Sequence, residues 1–209
     1  MPKWIPKPEW INEEVFIIGG GDSLRNFNWS LLKDERTIGC NDAYKLGEET
    51  CKICVFGDAR WFKIHKDSLT KYKGTVFTNA NQLFHTNLSW LWTLQRQITG
   101  LSKTKLGWNW NTGAVAVNLA LLLGAKRIFL LGFDMQTSKT GRANWHSVKG
   151  TKPNVEVYSK FLMGFTQLSI DLKTKFNCEV INVTDNSNLD LFPKVACDIF
   201  WKERTKNVI

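Results

Sequence analysis

The stretch from Asn111 to Asp134, NTGAVAVNLALLLGAKRIFLLGFD, constrains the fold more than any other part of the chain. Asn111-Thr112 suits a helix start, because short polar side chains accept the N–H groups that a first turn leaves unpaired. Residues 113–123 are apolar except for Asn118, so the helix they form has no face suited to water. Gly124 supplies the left-handed stop. KRIFLLGFD follows at once and reads as a fully buried strand ending at Gly132-Phe133-Asp134. A helix buried all round beside a strand buried on both faces needs layers above and below a sheet.

The other segments extend that pattern. Glu14–Ile18 reads as a buried strand ending at Gly19-Gly20-Gly21, and Arg36–Cys40 as a second ending at Asn41-Asp42. Residues 52–56 form a third, ending at Gly57-Asp58, Thr75–Thr78 a fourth, and CEVINVT the last. Residues 28–32 read as a short helix and 88–98 as a longer one. Residues 100–107 read as a basic polar loop, 154–176 as a helix, and 189–204 as a C-terminal helix or irregular tail. The expectation is an α/β fold: a Rossmann-like, mostly parallel sheet with helices on both faces, in a single domain over 1–209. A long loop, 135–153, precedes the last helix and strand and is the expected active-site loop. The prolines and tryptophans of 1–12 suggest an extended arm across the domain. In such sheets ligands bind outside the carboxyl ends of the strands. Glycines, amides and carboxylates collect at that edge here.

Composition narrows the classes of function. No apolar run approaches the roughly 20 residues of a membrane helix. The opening MPKWIPKPEW lacks a signal peptide's apolar core, so the expected location is the cytoplasm, with no membrane partner. The net charge of +9 and pI near 9.4 favour anionic partners such as nucleotides, nucleic acid or acidic glycans. The lysines are scattered rather than blocked, so charge alone does not diagnose DNA binding. Cys51-x-x-Cys54 has metal or redox spacing but no second close pair, and it reads as reduced thiols packed beside a strand. Ten tryptophans are unusual, and Trp90, Trp92, Trp108 and Trp110 cluster mid-chain. Core packing and a stacking platform for a base or sugar are both open to them. The chain carries no nucleophile elbow, His-Glu-x-x-His or zinc-deaminase signature.

Each motif has a chemical and a structural reading. Gly19-x-Gly21-x-Ser23 follows a strand as a phosphate loop does, with Asp22 inside it, and glycines bring backbone N–H groups close to an anion. Leu24 replaces the third glycine of the dinucleotide fingerprint, and no P-loop lysine follows. A plain turn is the alternative. Asn41 and Asp42 either contact a base or ribose or cap the following turn. Asp58 either pairs with Arg60 or meets a sugar hydroxyl or a metal. Thr112-Gly113 opens the strongest helix, either as an anion site or as an ordinary cap. His146, in GRANWHSVKG, has the most site-like setting of the three histidines and the right pKa range for a general base. Arg142, Lys149 and Lys152 surround it as candidate phosphate ligands; the alternative is an exposed loop histidine.

VFIIGGGDSLRNFNWSLL, TIGCNDAY, NTGAVAVNLALLLGAKRIFLLGFDM, a loop with WHS and CEVINVTDNSNLDLFP occur in that order. This succession resembles a group of proteins common in bacteriophages and prophages. More distantly it resembles the bacterial sialyltransferases with a Rossmann-like fold, and DUF115-type proteins including the archaeal 6-hydroxymethylpterin diphosphokinases. The sialyltransferase resemblance implies a nucleotide-sugar donor, with the Gly19–Ser23 loop, written 19–23, against its phosphate and sugar. It implies Asn41 and Thr112-Gly113 at the nucleotide and His146 as the base for an acceptor hydroxyl. It also implies no metal and no other cofactor. The resembled family supports its departing phosphate with two tyrosines. Here Tyr44, Tyr72 and Tyr158 all fall outside the matching loop, leaving Arg142 or Lys149 as substitutes.

The leading expectation is therefore a glycosyltransferase-like enzyme, metal-independent, acting on modified phage DNA or a surface glycan. The pterin-kinase likeness implies an alternative, Mg²⁺-dependent phosphoryl or pyrophosphoryl transfer through Asp58 and Asp134. A non-catalytic nucleotide or DNA binder is the third.

Overall fold

A computed structural model describes residues 4–146 and 156–206. Among them, seven strands form one wholly parallel sheet: β1 (Glu14–Ile18), β2 (Arg36–Cys40), β3 (Ile53–Phe56), β4 (Thr75–Thr78), β5 (Leu91–Thr93), β8 (Arg127–Leu131) and β9 (Glu179–Asn182). Their order is β5-β4-β3-β2-β1-β8-β9. Two short strands, β6 (Arg96–Gln97) and β7 (Leu106–Gly107), pair separately. The chain steps outward from β1 to β5, then returns through β6, β7 and helix α2 (Thr112–Leu123) to place β8 beside β1. The strand order reverses there, so the loops after β1 and β8 diverge and leave a crevice.

Side-chain alternation explains why both faces are covered. Val15 and Ile17 of β1 join Ile128 and Leu130 of β8 in one cluster, packed under α2 and α3 (Val157–Lys175). Phe16, Ile18, Phe129 and Leu131 point the other way, toward α4 (Cys197–Lys206), where Trp201 stacks on Phe16 at 5.3 Å. Helix α1 (Ala59–Leu69) covers the β3–β4 side of that second face through Phe62 and Leu69. The expected parallel α/β architecture is the observed one.

The expected helix over 88–98 is instead β5 and β6. Its apolar residues recur at helical spacing, but the open edge of β4 takes Leu91–Thr93 in parallel register, Val76 opposite Leu91. Tertiary pairing overrides the local pattern. Part of the loop expected over 100–107 is strand β7. Helix α1 escapes sequence reading because its buried residues are only Phe62 and Leu69, seven positions apart, with charged and polar residues between them and Ile64 exposed. From Trp4 onward the N-terminal segment lies along α2: Trp10 N–H bonds the Leu123 carbonyl at 2.7 Å, and Trp4 meets Phe77 edge-on at 5.1 Å. All five cysteines are unpaired, and burial pushes the Cys51 thiol up to about 12. No described helix is long and apolar enough to cross a membrane.

Candidate active site

A cavity of about 660 Å³ opens at the carboxyl edge of the sheet, over the β1–β8 crevice. Its wall includes Gly19, Gly20, Gly21, Asn41, Asp42, Asp58, Thr112, Gly113, Asp134 and His146. The strand ends foreseen from sequence thus converge on one space.

The glycine loop is built for close packing rather than for unusual torsions. None of Gly19, Gly20 and Gly21 has positive φ. A Cβ on Gly19 would lie 2.5 Å from the Gly132 carbonyl oxygen, and one on Gly21 would lie 2.0 Å from Asp134 Oδ1. The N–H groups of Gly19 and Gly21 donate to the Leu131 and Gly132 carbonyls at 2.7 and 2.8 Å. Two of the three glycine amides are thus committed to the β8 loop. Asp134 completes the joint: its carboxylate accepts from Ser23 N–H at 2.9 Å and Ser23 Oγ at 2.6 Å. Burial raises its pKa despite those bonds. Asp22 faces Arg25 at 2.7 Å; neither Asp22 nor Ser23 is part of the cavity wall.

Of the expected active-site loop, residues 147–153 lie outside the described residues, and Asn144 and Trp145 pack against the glycine loop. Trp145 N–H donates to the Gly20 carbonyl at 2.9 Å and its Nε1 to the Gly19 carbonyl at 3.0 Å. Arg25 bonds the Asn144 carbonyl at 3.0 Å, and Trp145 packs on Trp29 at 5.3 Å. This latch delivers His146 to the cavity with its side chain 28% exposed. Burial holds the imidazole below the usual histidine pKa, against the opposing pull of Asp42. Arg142 sits in a turn in which its backbone groups bond Ser138; it is not among the residues of the cavity wall, and its buried Nε has no hydrogen-bond partner in the structure. The phosphate role expected of it finds no support in that position. Lys149 and Lys152 lie outside the described residues.

Opposite His146, α2 points its N-terminus into the cavity. Asn111 caps it through Gly113 N–H at 2.6 Å, and the buried Asn111 Nδ2 has no hydrogen-bond partner in the structure. Thr112 Oγ1 lies 3.5 Å from Asn41 Oδ1. Asn41, Asn109, Trp110 and Met135 all take positive φ, between 46° and 54°, which is uncommon for residues with side chains. Three of them line the cavity: Asn41, Trp110 and Met135. Such torsions persist only where the surrounding structure enforces them, and they concentrate at functional sites.

Asp58 caps α1 by accepting from Arg60 N–H at 2.7 Å, so its partner is the Arg60 backbone. With Asp134 held by Ser23, the two carboxylates of the Mg²⁺ alternative both serve local structure. Among the described residues no group of three His, Cys, Asp or Glu side chains is arranged to hold a metal.

Sequence reasoning missed several wall residues. Trp61, Tyr158, Phe161 and Gln136 line the cavity. Tyr158 reaches it from α3, after His146 in the chain, where a search by order along the sequence does not look. Burial and the Asp134 charge raise its phenol pKa. Of the tryptophan cluster, Trp108 and Trp110 are on the wall, whereas Trp90 packs on Phe62 and Trp92 against the core. A usable signal for Trp61 was its place three residues after a strand-end aspartate.

No protein-family model matches the sequence, and no curated protein matches it. Among solved structures, the chain is similar to the sialyltransferase CstII from Campylobacter jejuni, determined with a substrate analogue, cytidine-5'-monophosphate. The TM-score is 0.56 at 16% identity, covering 89% of this chain and 86% of that one. At that identity the likeness establishes the fold.

Proposed function

We propose that this protein is a glycosyltransferase-like enzyme that uses a nucleotide-sugar donor and takes His146 as general base toward an acceptor hydroxyl. The observation that carries the reading is His146, latched over the glycine loop of a fold shared with CstII, facing the N-terminus of a buried helix across one cavity.

The acceptor O–H gives its proton to His146. The oxygen bonds to the anomeric carbon of the donor sugar as the bond from that carbon to the phosphate oxygen breaks. The departing phosphate carries the electron pair. The α2 N-terminus, Thr112 and the unpaired Asn111 amide meet that charge, because a helix start offers unpaired N–H groups and a positive dipole end. Desolvation lowers the imidazole pKa and so favours the neutral form, which a base requires. Trp61, Trp108 and Trp110 supply flat apolar surface for the rings of donor or acceptor. The net charge of +9 favours an anionic acceptor, a class that includes DNA and acidic glycans.

The test is a thermal-shift panel of CMP-, UDP-, GDP- and ADP-linked sugars with and without Mg²⁺, headed by CMP, the nucleotide in the CstII complex. Binding to the folded state raises the melting temperature by an amount that grows as the logarithm of ligand concentration over Kd. A hit is then assayed for transfer with the wild type and His146→Ala. Stabilisation by one nucleotide class without Mg²⁺, with turnover lost in His146→Ala, supports the reading. Full turnover by His146→Ala, or stabilisation that requires Mg²⁺, overturns it.

A further inference from the structure

We infer that Asp42 is a positioning residue for His146: its carboxylate, fixed by Trp61, turns the imidazole so that Nδ1 faces Asp42 and Nε2 faces the glycine loop. The inference rests on the reading of His146 as the base and assigns Asp42 to that base rather than to the donor.

Asp42 follows β2 in a 3-10 turn, Asn41–Leu46, with its side chain only 13% exposed. Its Oδ1 accepts from Trp61 Nε1 at 2.7 Å, and its Oδ2 from Lys45 Nζ at 2.5 Å. His146 Nδ1 stands 3.7 Å from Oδ2. That is longer than a hydrogen bond, as base–orienter pairs commonly are before a ligand fills the site. The other ring nitrogen looks toward Gly20, where an added Cβ would sit 4.0 Å from Nε2. Trp145 meets the imidazole edge-on at 5.0 Å.

A second histidine shares the carboxylate, with His65 Nε2 3.6 Å from Oδ1. The two are not equivalent. The Nδ1 of His65 is bonded to Tyr44 Oη at 2.9 Å, and its ring is stacked on Trp61 at 4.2 Å. Both of its nitrogens therefore face protein. His65, Tyr44 and Trp61 support Asp42 from below, and His146 alone turns a nitrogen to the cavity. The charged groups around His146 divide cleanly: Lys45, His65 and Arg25 oppose its protonation, and Asp42 favours it. Asp42 itself is held below the usual carboxylate pKa: burial alone would raise it, but Lys45, Trp61 and His146 outweigh that. It is therefore an anion wherever a base would work.

The test is nitrogen-15 NMR of the full chain, whose three histidines are separable by single substitution. In the wild type the expected His146 form carries its proton on Nδ1. In Asp42→Asn the amide oxygen stays on Trp61 and its NH₂ faces Nδ1, which selects the opposite tautomer. The His146 pKa then falls, since the one attracting charge is gone. Turnover falls at least about tenfold, within the roughly 10²–10⁴-fold that a general base contributes, and donor KM changes less than about twofold. Asp42→Ala removes the acceptor and the charge together, so it gives a mixed tautomer at a lowered pKa. That variant decides the matter if Asp42→Asn fails to fold. An unchanged His146 tautomer in the folded variants, or a change confined to His65, overturns the inference. The NMR result needs no turnover, so it separates from the test of the base. Active His146→Ala with a shifted tautomer refutes the base alone, and inactive His146→Ala with an unshifted tautomer refutes the positioning alone.

Discussion

Gly21→Ala isolates the joint between the two strand-end loops. Gly21 has φ −57° and ψ 147°, torsions that alanine adopts freely, so backbone strain contributes nothing. The cost is contact. The new Cβ would lie 2.0 Å from Asp134 Oδ1, 2.4 Å from its Cγ and 2.7 Å from the Gly132 carbonyl oxygen. Asp134 is 8% exposed and held by two bonds from Ser23, so it has little room to swing away. Overpacking a tight site costs about 1–3 kcal/mol, and disturbing a hydrogen bond to a charged group about 1.5–3 kcal/mol. Because the two overlap, the expected destabilisation is roughly 2–5 kcal/mol. At about 2–4 °C per kcal/mol for a chain of this size, calorimetry should show a melting point lower by roughly 4–20 °C. Asp134→Ala removes the nearest clash, so in that background Gly21→Ala should cost at least about 1 kcal/mol less. A Gly21→Ala protein within about 0.5 kcal/mol of wild type would refute the reasoning, and so would strict additivity with Asp134→Ala.

Other perturbations follow from the same geometry. With a neutral His146 required and its pKa held down by burial, kcat/KM should rise with pH along an acid limb lying below the ordinary histidine value of about 6.5; a limb above that value contradicts the assignment. Asp171 is 2% exposed and bonds Leu101 N–H and Lys175, which outweigh its burial and hold its pKa below the usual range. Its stabilising share is therefore complete above the unfolded carboxylate pKa of about 4 and lost as pH falls through the lower folded value. Denaturant melts should show a shallower acid decline for Asp171→Asn than for wild type. Asn111→Ala removes the α2 cap and should cost about 0.5–2 kcal/mol by chemical denaturation. It should also weaken the nucleotide-induced thermal shift, which a purely structural cap would leave intact. Gly124→Ala forces a side chain to φ 99° and should cost about 1 kcal/mol, read as a lower melting point.

How much was legible depended on whether a segment's partners lie nearby in sequence. Asn111–Gly124, with its cap and left-handed stop, is self-contained, and the helix expected from Gly113 to Leu123 starts one residue earlier, at Thr112. The strand-end rule placed Gly19, Asn41, Asp58 and Asp134 on one edge because parallel strands all end on the same side. Residues 88–98 carry a helical spacing that lost to the edge of β4, a partner ten or more residues earlier. Asp22 and Ser23 carry the right chemistry for a ligand site but spend it on Arg25 and Asp134.

The sequence by itself determined the layers: runs apolar on both faces, punctuated by glycine and asparagine, cannot be buried except in a parallel sheet sandwiched by helices. It also determined that polar and glycine residues gather at one edge. Only the tertiary structure decided what each of them does there. The triple glycine, which reads as a phosphate loop, is a place where two strand-end loops touch without side chains between them. Asp42, which reads as a cap or a ribose contact, stands between two histidines that come from elements far apart in the chain. Such roles depend on distances of a few ångströms between residues up to about a hundred positions apart. Local pattern carries no record of those distances, because they are fixed by how whole layers pack.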